Sequence, residues 1–394
     1  MNTIIHHSEE ICKRLSKNNL LESVKTVSEP YVVSIIMSIF QAGYRGKTVD
    51  MESCSDRHRT SISRFLRNKS INDDALILSL KQHVTKIIYD ESKTSGCPVF
   101  VIVDDTICSK TIPSSKAKHP IEAAGFHFSH LKRKQDYGHQ AVAVLLSCNG
   151  ITLSYDTILY DKSVSKIDIV KQIAEELPAT PIPSYFLCDS WYICEKLADM
   201  FIRKGFFTVV AMKTNRILYP YGVKMNVCDL AEKLVEAECK ELFHLVTVKQ
   251  RQYYVYRYEG NLNGIDNAVV LLTYPKNAFG KEKALRAFIS TNTALSDEEI
   301  LNLYVTRWNI EVYFRDCKSK LAIDQYQIRS SKGIKRFLLI ASLAYLIACL
   351  ESEHHCFSDG FRSISRILYR EQVSFIFDYA ANGGDKSALL QKIA

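Results

Sequence analysis

Two apolar runs that end in acids constrain this chain most. Phe100-Val101-Ile102-Val103 leads into Asp104-Asp105-Thr106, and Tyr185-Phe186-Leu187-Cys188 leads into Asp189-Ser190. Short β-branched and aromatic runs bounded by polar residues read as buried strands. Residues 140–148 and 151–155 are strand-like too, and the Asn149-Gly150 pair between them signals a hairpin. Residues 191–204 read as a helix and 206–212 as a further strand. The order predicts an α/β core beginning near residue 96, with acids at the ends of two buried strands.

A third acid belongs to a helix. Ser296-Asp297-Glu298-Glu299 has the form of a capping box, with Ser296 as N-cap and Glu299 at the third helical position. If that helix runs on unbroken, Tyr304, Arg307, Glu311 and Lys318 fall within roughly 60° of one another at about 100° per residue. One face then carries a phenol, a guanidinium, a carboxylate and an ammonium. The plainer alternative is a solvated amphipathic helix laced with salt bridges. A helix packed on the sheet would bring Glu311 towards the acids at the strand ends. Three converging carboxylates repel unless cations intervene. Mg²⁺ is the ordinary partner of such a set, and two such ions can assist both oxygens in phosphoryl transfer.

With Asp, Asp and Glu in this order, and Tyr304-x2-Arg307-x3-Glu311-x6-Lys318 around the Glu, the chain resembles the DDE transposases of bacterial insertion sequences. It is similar to the branch with the YREK signature, the insertion sequence four branch, over roughly residues 98 to 350. The resemblance implies an RNase H-like core that uses Mg²⁺, with Mn²⁺ as a substitute. It implies cleavage of double-stranded DNA at element ends, strand transfer into a target by cut-and-paste transposition, and a homodimer on paired ends. Asp105, Asp189 and Glu311 are then the catalytic metal ligands. Asp105 is preferred to Asp104 because the family's Asp often stands directly before Thr. Asp104 then points to the other face of the strand. Tyr304, Arg307 and Lys318 are expected to contact the DNA backbone near the cut. Two other readings stay open: an RNase H-like nuclease without strand transfer, and a catalytically silent DNA-binding protein derived from a transposase.

Residues 1–95 read as helical. The interval from Arg45 to Lys69 holds seven Lys or Arg against three acids. A short helix over 48–54 and a second over 57–66 outline a helix-turn-helix. Ile62, Phe65 and Leu66 face inward in this reading, while Arg57, Arg59 and Arg64 face DNA. The alternative is a basic surface helix in a bundle.

Between Asp189 and Glu311 the chain is far longer than a compact sheet needs, which predicts a β-rich insertion over about 214–284. Its tyrosines either pair across strands or stack on unpaired bases. Only Trp191 and Trp308 carry indoles, so the insertion has none. The segment around His119, His127, His130 and His139 is either a DNA-facing loop or, less in keeping with standard spacings, a zinc site. Lys332, Lys335 and Arg336 extend the basic surface in this reading. Residues 351–394 form a helical C-terminal segment without evident chemistry.

The net charge of +8 is compatible with a polyanion. The 12 cysteines include no Cys-x-x-Cys pair, as expected of reduced thiols in a bacterial cytoplasm. Residues 1–10 lack an apolar core, so no secretory signal is expected. The apolar run from 337 to 350 is shorter than the roughly 20 residues of a membrane span and reads as a core helix.

Overall fold

The computed structural model describes residues 13–14, 28–52, 55, 57–117, 120–129, 132–237, 239–262 and 265–393. Four helices come first: α1 (Glu29–Phe40), α2 (Thr48–Glu52), α3 (Arg59–Arg67) and α4 (Asp74–Ser95). The sheet then begins with β1 (Phe100–Ser109), β2 (Gly125–Ser129), β3 (Lys134–Cys148) and β4 (Ile151–Tyr160). Next come α5 (Lys166–Glu176), β5 (Ser184–Cys188), α6 (Glu195–Arg203) and β6 (Phe206–Met212).

β1 does not stop at its acids. It runs through Asp104 and Asp105 because β3 pairs with it residue by residue, from Phe100 opposite Ser147 to Ser109 opposite Gly138. Ladder hydrogen bonds hold these polar residues extended, so the acids sit within a strand and take alternate faces. On its other edge β1 pairs in parallel with β5, ending at Val103 opposite Cys188. β5 pairs in parallel with β6, and β3 pairs antiparallel with β4. At the β3–β4 turn, Asn149 and Gly150 both take positive φ, 46° and 85°, as the hairpin signal requires. The helix expected from residue 191 begins only at Glu195, because Tyr192 N–H bonds back to the Asp189 carbonyl in a turn.

The insertion is built of β7 (Ile217–Leu218), β8 (Met225–Asn226), α7 (Val227–Glu236), β9 (His244–Val248), β10 (Arg251–Leu262) and β11 (Ile265–Pro275). It is not a separate sheet. β12 (Arg286–Ser290) pairs with β11 on one side and β6 on the other, which joins everything into one mixed sheet of 12 strands. The tyrosines of β10 lie mostly in cross-strand register, with Tyr254 opposite Tyr274.

The capping box at Ser296 forms as expected and opens α8 (Asp297–Val305). The unbroken helix does not. α8 ends at Val305 and α9 (Trp308–Lys320) starts afresh, with i→i+3 bonds at Thr306, Arg307, Asn309 and Ile310. This 3₁₀-like tightening shifts the wheel between Tyr304 and Glu311. α9 is pinned to the sheet by the Tyr313 hydroxyl, 3.0 Å from Ser154 and 2.8 Å from Thr157, and by Asn309, whose amide donates to Thr152.

The chain closes with α10 (Ser331–Glu351), α11 (Phe357–Ala381) and α12 (Lys386–Ile393). At 21 residues α10 outruns the apolar stretch seen in sequence, and by length and composition it is able to cross a membrane. It is the central helix of the fold, however, 89% buried over its most apolar window and packed on β4, α1, α3 and α11.

Arg336 of α10, expected on a basic surface, is instead 2% exposed. It donates to both oxygens of Asp73 and to the carbonyls of Phe65, Leu66, Asn68 and Ile71. Arg has five N–H donors. The end of α3 leaves carbonyls without helical partners, and one buried guanidinium meets several of them together.

Candidate functional site

The register of β1 and β5 builds the site. One step beyond the Val103–Cys188 pair, β1 continues into Asp104 while Asp189 follows the last residue of β5. The two strands lie about 4.8 Å apart, and Asp189 leaves β5 beside the Asp104 face of β1. α9 crosses this face. Arg307, at its N-cap, donates to Asp104 Oδ2 at 2.8 Å and more weakly to Glu311 Oε1 at 3.4 Å. The Asp189 and Tyr304 side chains add to the field around the same guanidinium. Asp104, Asp189, Glu311 and Tyr304 are thus gathered around Arg307.

Asp105 is elsewhere. Its Oδ2 accepts from Lys166 and from the Tyr192 hydroxyl, each at 2.7 Å, and Oδ1 accepts from Gln140. The strand's period of two puts it on the face away from Arg307. Of the sequence-expected trio, Asp189 and Glu311 are brought together and Asp105 is not. Asp104 takes the third place. The pleat made the two acids alternatives from the start, but the face that α9 covers is set by distant contacts. Gln140, Lys166 and Tyr192 were not singled out, since nothing local marks them as partners of an acid on β1.

The electrostatics separate the acids further. Burial pushes the Asp104 carboxyl up to about 6; Arg307 opposes the shift, while Asp105 and Glu311 add to it. Burial also raises the Tyr304 phenol, with Asp189 adding to the shift. Among the described residues no three His, Cys, Asp or Glu side chains stand close enough to hold an ion as they are. At the carboxylates, Arg307 bridges two of them. The donor chemistry suits a hard divalent ion: three carboxylates carry more negative charge than one guanidinium balances. A cleft of about 600 Å³ opens beside Asp189 and Tyr304, lined from the insertion side by Thr214, Lys283, Arg286 and Phe288.

Lys318 lies two turns beyond Glu311 and donates to the Ile107 carbonyl of β1 at 3.1 Å, so it braces the strand and is not drawn to the carboxylates. In the N-terminal region Ile62, Phe65 and Leu66 are buried, while Arg57, Arg59 and Arg64 are exposed. The Arg57 guanidinium sits 5.6 Å over the Tyr31 ring. Of the histidines, His139 is buried with both ring nitrogens engaged, by Tyr326 and by the Glu122 carbonyl, which leaves it no nitrogen for zinc. His119 and His130 lie outside the described residues.

A family model described as "Transposase DDE domain" matches residues 95–347. That span runs from the end of α4 through β1, β5, α9 and most of α10, and so contains every residue gathered around Arg307. No curated protein matches the chain.

Proposed function

Since the chain belongs to the transposase DDE domain family, we propose that it cuts DNA at the ends of a mobile element and joins them to a target, with Asp104, Asp189 and Glu311 as the acting carboxylates. The observation that carries this reading is the gathering of these three acids around Arg307. The strand order β4-β3-β1-β5-β6, antiparallel on one side of β1 and parallel on the other, supports an RNase H-like core. The Tyr304, Arg307, Glu311 and Lys318 spacing supports the YREK branch. Asp104 replaces Asp105 because only Asp104 shares a face with α9.

Asp104, Asp189 and Glu311 would hold Mg²⁺, or Mn²⁺ in its place. Bound there, such ions supply activation of the attacking oxygen and stabilisation of the leaving one. The chain's own residues do the rest. Arg307 offers a planar fork suited to a phosphate. It already spans Asp104 and Glu311, so it is placed to turn from them to the backbone of a strand entering the cleft. Tyr304 lines that cleft and positions the same phosphate. Lys318 holds β1, and with it Asp104, against α9. Arg59 and Arg64 on α3, with Arg57 before it, meet duplex DNA away from the cut. Arg336 keeps α3 fixed to the core that does the cutting. Two copies of the chain act together, since two ends must be cut in concert.

The test is incubation with a labelled duplex carrying the element's own end and Mg²⁺, beside a Glu311→Gln control. End cleavage and transfer into a second duplex are expected from the wild type alone. Equal products from both proteins would defeat the assignment.

A further inference from the structure

Behind β1, on the Asp105 face, stands a cluster of polar and aromatic side chains that the carboxylate site does not use. Lys166 opens α5, sends Nζ to Asp105, and sits 4.8 Å over the Trp191 ring. Trp191 is 46% exposed and stands two residues past Asp189, on the loop leading out of β5. His127 enters from β2 and Lys162 from the β4–α5 connection. A Cβ at Gly125 would lie 3.5 Å from Lys162 Nζ and 4.0 Å from His127 Nε2, so these two groups flank the bare glycine and the gap beside it.

His127 is only 8% exposed, yet its Nε2 has no hydrogen-bond partner among the described residues. An unpaired polar atom that is buried is costly to a fold, so its orphan state points to a missing ligand. The charge around it says which kind. Burial, then Lys162 and Lys166, disfavours a proton on His127, while Asp105 and a hydrogen bond to Gln140 oppose the shift. Asp105 balances Lys166; among the described residues Lys162 has no ion-pair partner. The gap therefore has positive charge to spare and one ring nitrogen without a partner. An anionic oxygen fits there, and an exposed indole at the rim suits a flat, weakly polar neighbour. A phosphate with a base or sugar beside it is one unit of a nucleic-acid strand.

We propose that Lys162 and His127 grip one backbone phosphate of the DNA and that Trp191 packs on the adjoining base or sugar. The site rests on the reading of the chain as a DNA-acting enzyme. It gives the DNA a second hold, around the β5 loop from the carboxylates. Asp189 and Trp191 lie on opposite ends of one short turn, so a strand leaving one reaches the other without crossing the sheet.

The experiment measures binding of a labelled duplex to the full-length chain over a range of salt. It compares wild type with Lys162→Ala, Lys162→Arg, Trp191→Ala and Trp191→Phe, each first shown to unfold at the wild-type temperature. One lost phosphate contact lowers the slope of log K against log salt by about 0.9, and this is expected for Lys162→Ala but not Lys162→Arg. Trp191→Ala is expected to weaken binding by about tenfold, and Trp191→Phe to restore most of it. In a Trp308→Phe background, Trp191 is the sole indole, and duplex should quench its fluorescence.

Wild-type slope and affinity in both alanine variants would overturn the site and leave the DNA reading intact. Failure of the wild type to bind any duplex would overturn both. Quenching of Trp191 by inorganic phosphate but not by duplex would overturn the DNA assignment and mark a site for free phosphate.

Discussion

On one face of β1, Asp104 has a single cation, shared with Glu311, and one backbone N–H, from Asp105. On the other face, Asp105 has an ammonium, a phenol and an amide. The two carboxyls are adjacent in sequence and similarly buried, at 18% and 17% side-chain exposure. Burial is therefore not what separates them; the number of donors is. A carboxylate whose charge is fully met contributes to the fold and has nothing left to offer an ion. One left short of cations is costly to the fold and available for chemistry. In the proposed reading the strand thus carries a structural acid and a reactive acid one residue apart.

The sharpest way to break this comparison is to remove each acid in turn. Asp104→Asn, like Asp189→Asn, should slow metal-dependent cleavage by at least about a thousandfold, roughly 4 kcal/mol of barrier. Asp105→Asn should stay within about tenfold of wild type, roughly 1.4 kcal/mol. Single-turnover cleavage of a labelled end measures both. The reverse ranking would return Asp105 to the active face and undo the division.

The pH dependence comes next in size. The Asp104 carboxyl binds its proton more tightly folded than unfolded, with a folded pKa of about 6 against an ordinary value of 3.8. Its contribution to stability is therefore full below the unfolded value and lost as pH rises through about 6. The loss is about 3 kcal/mol at most, at 1.36 kcal/mol per unit. Asp104→Asn imitates the protonated form. Without metal it should match wild type near pH 4 and exceed it above about pH 7, in urea unfolding. Mg²⁺ should then stabilise wild type more than the variant, by mass action on the folded state. A variant less stable than wild type at every pH would show that Asp104 is held as firmly as Asp105.

Much of this arrangement was legible in the chain itself. The two apolar runs, the Asn149-Gly150 hairpin and the Ser296 capping box are local signals, and each formed where local chemistry put it. So did the inward side of α3, where helical spacing alone marks Ile62, Phe65 and Leu66. What could not be read depends on partners far along the chain. β1 outlasts its apolar run because β3 pairs with all of it. The helix breaks at Thr306 and Arg307 although no Gly or Pro announces it. Arg336 looks like a surface cation until α3 supplies carbonyls some 270 residues away. The choice between Asp104 and Asp105 is of this second kind. Period two says they differ, and only the contacts of Asn309 and Tyr313 with β4 say which one α9 covers.

The Asp105 face has its own test. Asp105→Asn leaves Lys166, 12% exposed at its side chain, without its anion. The cost should be about 2 kcal/mol, the range for a partly buried group deprived of its partner. It should appear in urea unfolding at neutral pH, where Asp104→Asn moves stability the other way. Opposite signs for neighbouring, chemically identical substitutions would be the clearest mark that one acid is satisfied and the other is not.

The smallest effect sharpens the picture most, because it asks whether the donors on that face act as a set. Tyr192→Phe removes one hydroxyl, 2.7 Å from Asp105 Oδ2, and leaves the ring on its packing against Trp191. A hydrogen bond to a charged acceptor contributes about 1.5–3 kcal/mol, but Lys166 remains on the same oxygen, so the loss should be nearer 1 kcal/mol. In a double-mutant cycle with Asp105→Asn the two losses should not add, since the hydroxyl has no charged acceptor left to lose. Additive losses would mean that the Tyr192 hydroxyl stabilises the fold independently of Asp105, and that Asp105 is held by Lys166 and Gln140 without it.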